Sequence, residues 1–172
     1  MIERYGAISF AGKEATVIGE ELTVGQPAPD FSAQADDWNM TQVLEATKGK
    51  VRIIASLPSL NTSVCDREAR RFNQEAASLG QGIAIIAISN DLPFTLKNWC
   101  AASGVDQVLV LSDHLELEFG KKYGVLIKEV RVLRRAVFVV NREDKIVYAA
   151  YMPTIGVEPD YEAVLQAAKN AL

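Results

Sequence analysis

Histidine occurs once, at His114, and cysteine twice, at Cys65 and Cys100. A zinc site built from Cys and His is therefore short of ligands. The two cysteines stand 35 positions apart, so the chain lacks both a Cys-x-x-Cys redox pair and paired metal-ligand spacing. Basic blocks are absent as well. With 18 Lys and Arg against 22 Asp and Glu, the net charge of −4 argues against nucleic acid or an anionic membrane as partner. No apolar run approaches the length that crosses a bilayer. The opening Met1-Ile2-Glu3-Arg4-Tyr5-Gly6 carries an acidic side chain and no apolar core, so no signal peptide is expected and the expected location is cytoplasmic. Internal repeats and low-complexity segments are missing too.

What remains is ordinary globular composition, 49% hydrophobic and 23% charged over 172 residues. That length suits one domain, residues 1–172, with a core that needs no covalent staple. Cytosolic thiols are kept reduced, so chemistry at these cysteines is thiol chemistry at two separate positions.

Residues 7–10 and 14–18 flank Ala11-Gly12-Lys13 and read as an N-terminal hairpin. Pro27 and Pro29 keep 24–31 extended. A short helix is expected from Asn39 to Thr47, stopping near Gly49. Strands and helices then alternate. Val51–Ser56, Ile83–Ser89 and Val108–Leu111 read as buried strands. Cys65–Leu79, Pro93–Ala102 and Leu115–Tyr123 read as helices, the first with Ala69, Phe72, Ala76 and Leu79 at helical spacing. Ala136–Val140 and Ile146–Tyr151 are too close for a crossover and should pair antiparallel. A last helix runs from Asp160 to about Ala171, capped by Asp160. This alternation predicts an α/β sandwich with a mixed sheet.

Cys65 falls in the first turn of its helix. Thr62 or Ser63 can cap it, and Ser63-x-x-Asp66 resembles a capping box. Free N–H groups and the helix dipole favour an anion there, which for cysteine is the nucleophilic thiolate. Asp66 would oppose that anion if it pointed inward, so it is expected to face solvent. A buried structural cysteine at a helix start is the competing reading.

The segment Pro58-x-x-x-Thr62-x-x-Cys65 matches the peroxiredoxin active-site motif. Asp91-Leu92-Pro93-Phe94 with Trp99-Cys100, Arg135-Ala136-Val137-x-Val139-Val140, Glu158-Pro159-Asp160-Tyr161 and the N-terminal hairpin resemble the thiol peroxidase branch of that family. The resemblance covers nearly the whole chain and implies a thioredoxin-like fold. It implies that Cys65 is the peroxidatic nucleophile, Thr62 orients the peroxide and Pro58 shields the sulfur. Arg135 would stabilise the thiolate and polarise the O–O bond. It also implies that Cys100 resolves the sulfenic acid as an intramolecular disulfide, that thioredoxin recycles it, and that two copies form a homodimer. The implied substrates are hydrogen peroxide and organic hydroperoxides; no metal, haem or flavin is implied. Asn61 and Asn141 depart from the branch, which usually carries Asp at both places.

Adjacent strand residues point to opposite faces, so only one of Arg134 and Arg135 reaches Cys65; the family motif selects Arg135. Taken alone, Cys100 reads as a core cysteine beside Trp99. His114 reads as a surface or capping residue, and Glu116 and Glu118 as solvated. Two other functions compete: a thioredoxin-type disulfide reductase, disfavoured without Cys-x-x-Cys, and a non-catalytic redox sensor using the same Cys65–Cys100 switch.

Overall fold

The computed structural model describes residues 1–172. Its centre is a seven-stranded mixed sheet built on three apolar strands, β5 (Val51–Ser56), β6 (Ile83–Ser89) and β7 (Leu109–Ser112), which run parallel. β9 (Ala136–Val140) pairs antiparallel with the free side of β5, and β10 (Ile146–Tyr151) with β9, as their short connection requires. On the far side, β3 (Ser32–Gln34) and β4 (Met40–Gln42) complete the order β10-β9-β5-β6-β7-β3-β4.

Side chains alternate across this sheet, so near-continuous apolar strands feed two cores. Ile53, Ile85, Val137 and Val139 face a cluster completed by Phe72, Leu96 and Val164 of helices α2 (Ser63–Leu79), α3 (Pro93–Ser103) and α5 (Tyr161–Asn170). Ile54, Ile86 and Phe138 face the other way, onto Val43 and Leu44 of α1 (Val43–Ala46) and Phe119 of α4 (Glu118–Lys122). Cys65 belongs to the first core, and Cys100 packs at its edge.

The N-terminal hairpin is present as β1 (Glu3–Phe10) and β2 (Lys13–Ile18). Its register shifts between Tyr5 and Ile8 around Gly6, and β8 (Leu126–Ile127) adds a third strand. The hairpin's exit crosses the body closely: at Gly19, φ 91°, a Cβ would lie 2.1 Å from the Lys121 carbonyl oxygen. Only glycine satisfies both that conformation and that approach.

Three expectations need correction. The segment after Asn39 opens as an edge strand paired to β3, leaving α1 only four residues, its Leu44 N–H held by Asp30 Oδ1 at 2.9 Å. The helix expected over 115–123 starts only at Glu118. The buried Asp113 carboxylate accepts from the N–H groups of Phe119 and Gly120, and Leu117 before them is left-handed at φ 54°. Burial, partly offset by these N–H groups, lifts Asp113 to about 6. Glu118 is not simply solvated, since its Oε2 accepts from Ser32 N at 2.8 Å and it pairs with Lys122.

Arg52 sits fully buried inside the apolar β5. Its guanidinium donates to Thr47 Oγ1, Leu44 O and Asn141 O and pairs with Asp144 at 2.8 Å. Asn141 itself caps the turn into β10, its Oδ1 accepting from Glu143 N and Lys145 N, bonds that an aspartate would make equally well.

Candidate active site around Cys65

The sulfur lies where β5 hands over to α2. The loop Leu57–Asn61 carries the chain off the carboxyl end of β5, and Thr62 caps the helix. Thr62 Oγ1 accepts from Cys65 N at 3.4 Å and donates to Ser59 O at 3.0 Å. The cap is Thr62, so the Ser63 capping box does not form. Pro58 is buried, and Cys65 is 0% exposed.

Two donors converge on Cys65 Sγ: Ser59 N at 3.5 Å and Arg135 Nη2 at 3.2 Å. Both favour a sulfur anion, and they add to the helix terminus. Of the two adjacent arginines, Arg135 is the one that reaches the sulfur. Arg134 points to the opposite side, donating to Met152 O at 2.9 Å, pairing with Glu21 at 2.8 Å and stacking over Tyr151. Arg135 is only 1% exposed, and its remaining donors go to Ile155 O, at 3.1 and 2.9 Å, and to Glu68 Oε2. Burial works against its charge, but Glu68 and then Cys65 outweigh that and hold its pKa above the ordinary value.

Glu68 was not among the residues singled out from sequence. It is 0% exposed, and burial pushes its carboxyl up to about 7 against the pull of Arg135. The signal available was its spacing: three residues after Cys65, it shares the sulfur's face of α2.

Asp66 does not simply face solvent. Its carboxylate accepts from Arg70 Nε at 2.9 Å and Trp99 Nε1 at 3.0 Å, while Arg70 Nη1 reaches Ser103 O at 3.0 Å. These contacts tie the first turn of α2 to the far half of α3. There Cys100 is half-buried; burial, then Asp36, push its thiol upward. His114 lies away from the sulfur, with Nε2 2.7 Å from Gln34 Oε1.

Asp91 is a second residue without a role in the sequence reading. Its carboxylate accepts from Ser59 Oγ (2.7 Å), Leu60 N (2.8 Å) and Ser89 Oγ (2.8 Å), pinning the loop that supplies a donor to Cys65. Asp91→Ala is expected to cost about 2 kcal/mol of stability, the scale of losing hydrogen bonds to a charged acceptor, and to slow peroxide consumption about tenfold. Urea midpoints and initial rates check the two effects separately; an unchanged rate would show that the loop holds itself.

No group of three or more His, Cys, Asp or Glu side chains is placed to hold a metal, and no helix is long and apolar enough to cross a membrane.

The sequence pattern of the AhpC/TSA family matches residues 24–149. A thiol peroxidase of Halalkalibacterium halodurans is 47% identical over 166 residues, covering 96% of this chain and 99% of its own. That of Bacillus subtilis is 45% identical over 162 residues, covering 94% and 96%. Among solved structures, a peroxiredoxin-like protein from Aquifex aeolicus superposes with a TM-score of 0.87 at 32% identity, over 97% of this chain and 98% of that one. A thiol peroxidase from Chromobacterium violaceum reaches 0.83 at 20% identity, over 95% of both, and shares the fold.

Proposed function

The chain belongs to the AhpC/TSA family, on its thiol peroxidase branch, and from that premise we propose that this peroxiredoxin-type enzyme reduces hydroperoxides through Cys65 and Cys100. The observation that carries the reading is the Arg135 donor 3.2 Å from a buried Cys65 Sγ at a helix N-terminus. The Cys65 thiolate attacks one peroxide oxygen; an S–O bond forms, the O–O bond breaks, and the electron pair leaves on RO⁻. In this reading Arg135 stabilises that negative charge, the Thr62 hydroxyl turns from Ser59 O to orient the peroxide, and the buried Pro58 shields the sulfur. Hydrogen peroxide and organic hydroperoxides both fit this chemistry, which needs only the terminal O–O group.

Cys65 is left as sulfenic acid, which condenses with the Cys100 thiol to a disulfide and releases water. A dithiol protein of the thioredoxin type then returns both thiols. That reductant operates in the cytoplasm, the compartment that keeps thiols reduced. The two cysteines lie on separate helices, and a disulfide needs Cα atoms roughly 4.4–6.8 Å apart. Neighbouring packed helix axes sit about 8–10 Å apart, so resolution is expected to proceed by opening the first turn of α2, the helix at Cys100, or both, with release of the Asp66–Trp99 bond. Homodimer formation belongs to the same reading; support comes from the exposed Trp38 and Phe94, edge to face at 4.8 Å.

The test is a coupled assay following NADPH consumption with thioredoxin, its reductase and hydrogen peroxide. The wild type is expected to turn over. Cys100→Ser is expected to reduce one equivalent of peroxide, accumulate Cys65 sulfenic acid and then stop. Intact mass after one equivalent should show a monomer-mass disulfide in the wild type. A disulfide-linked dimer as the main product would move resolution between chains. One round of oxidation without turnover would instead favour a redox sensor.

A further inference from the structure

One buried cation faces two acids at this site. Arg135 donates to Cys65 Sγ through Nη2 and to Glu68 Oε2 through Nη1, and none of the three side chains is more than 1% exposed. Glu68 Oε1 has no hydrogen-bond partner. The next charges belong to other pairs. Glu158, which further opposes ionisation of Glu68, lies 3.7 Å from Arg67 and accepts from the Tyr161 hydroxyl. Arg71 stacks over the Tyr161 ring at 5.4 Å and pairs with Glu75, and Asp66 is held by Arg70 and Trp99. Glu68 has Arg135 as its only salt-bridge partner.

Two buried anions beside one guanidinium leave a negative charge uncompensated, and buried groups escape that penalty by taking a proton. Acids this strongly coupled titrate as a pair. Burial drives Glu68 toward its neutral form, whereas Arg135 keeps its charge because Glu68 and Cys65 outweigh the burial that opposes it.

Building on the assignment of Cys65 as nucleophile, we propose that Cys65 and Glu68 share one proton across Arg135, Glu68 being protonated whenever Cys65 is a thiolate. The exchange is Cys–SH plus Glu–COO⁻ giving Cys–S⁻ plus Glu–COOH. When the thiolate attacks a hydroperoxide, Cys65 becomes neutral sulfenic acid and RO⁻ departs. Arg135 is then released to Glu68, which ionises; the proton it gives up balances the one RO⁻ takes to become ROH. Before and after the step the site holds one anion beside one cation. Glu68 acts through Arg135 and is a positioning residue, and its oxygen without a hydrogen-bond partner is the proton's place.

The experiment joins two readouts on the reduced protein: thiolate absorbance and the 13C shift of the Glu68 carboxyl, both followed against pH. In the wild type, Glu68 is expected to show the protonated shift at every pH where the thiolate first absorbs. In Cys65→Ser, with no competing anion, Glu68 is expected to stay ionised to lower pH. Glu68→Gln keeps an acceptor for Nη1 while removing the charge, and its thiolate absorbance is expected to persist about one pH unit lower. An ionised Glu68 beside a full thiolate, or a Glu68→Gln titration that overlays the wild type, would overturn the proposal. If Glu68→Gln does not fold, the carboxyl shifts of the other two proteins decide alone. Hydrogen peroxide turnover is scored separately, so coupling without turnover would sink the peroxidase assignment and leave the shared proton standing.

Discussion

Cys65→Ser is expected to lower peroxide consumption to that of the protein-free control, with the thermal midpoint within a few degrees of wild type. The sulfur contributes the one group at this site whose anion is a strong nucleophile; a serine hydroxyl stays protonated there. Packing is nearly preserved, because serine is close in size and can accept the same bonds from Ser59 N and Arg135 Nη2. Near-native circular dichroism beside absent turnover is the combination that supports Cys65 as nucleophile. Retained turnover would end that assignment, since the one remaining thiol, Cys100, sits on a different helix with its reactivity lowered by burial.

The second large effect is at Arg135. Arg135→Ala is expected to slow peroxide consumption about 10²–10³-fold, the scale of removing one preorganised donor from developing charge. It should also destabilise the fold by about 3–5 kcal/mol, because Glu68 then stands buried without its partner. That loss depends on pH. The folded carboxyl of Glu68 lies above its ordinary value, so its favourable contribution is complete below about 4.5 and disappears as pH rises through about 7. Without Arg135 the carboxyl is shifted further up, so the stability difference from wild type should widen between pH 6 and pH 8. Urea unfolding at the two pH values checks it; an equal loss at both would mean that Glu68 is not the group left stranded. Arg134→Ala supplies the contrast. It removes the contacts to Glu21 and Met152 O, with a stability cost and little change in rate. Arg135→Lys should recover only part of the rate, since an ammonium cannot serve Cys65, Glu68 and Ile155 O with a planar fork.

Much of this architecture was legible in the chain itself. Apolar runs at 51–56, 83–89 and 136–140, separated by helical spacings and glycine or proline stops, specify strands buried on both faces and the helices between them. Thr62 three residues before Cys65 is a local relation, and a cap forms from such relations without help from the rest of the fold. The Asp30 and Asp113 carboxylates were not legible. Each holds N–H groups elsewhere along the chain, and those bonds decided where α1 and α4 begin. Local periodicity carries no trace of a partner that arrives by folding.

The same division runs through the active site. A cysteine at a helix start and the family whose motif surrounds it could be read from the chain alone. Strand alternation left Arg134 and Arg135 open and the family motif chose Arg135; the folded chain turns that guanidinium to the sulfur. It also brought Glu68, 67 residues from Arg135, to the same guanidinium, and Asp91 beneath the 59–60 loop. The reason is physical. A glutamate on a helix or an aspartate in a loop reads as solvated until the chain closes around it, and its charge acquires a role only when burial removes the water that would otherwise screen it.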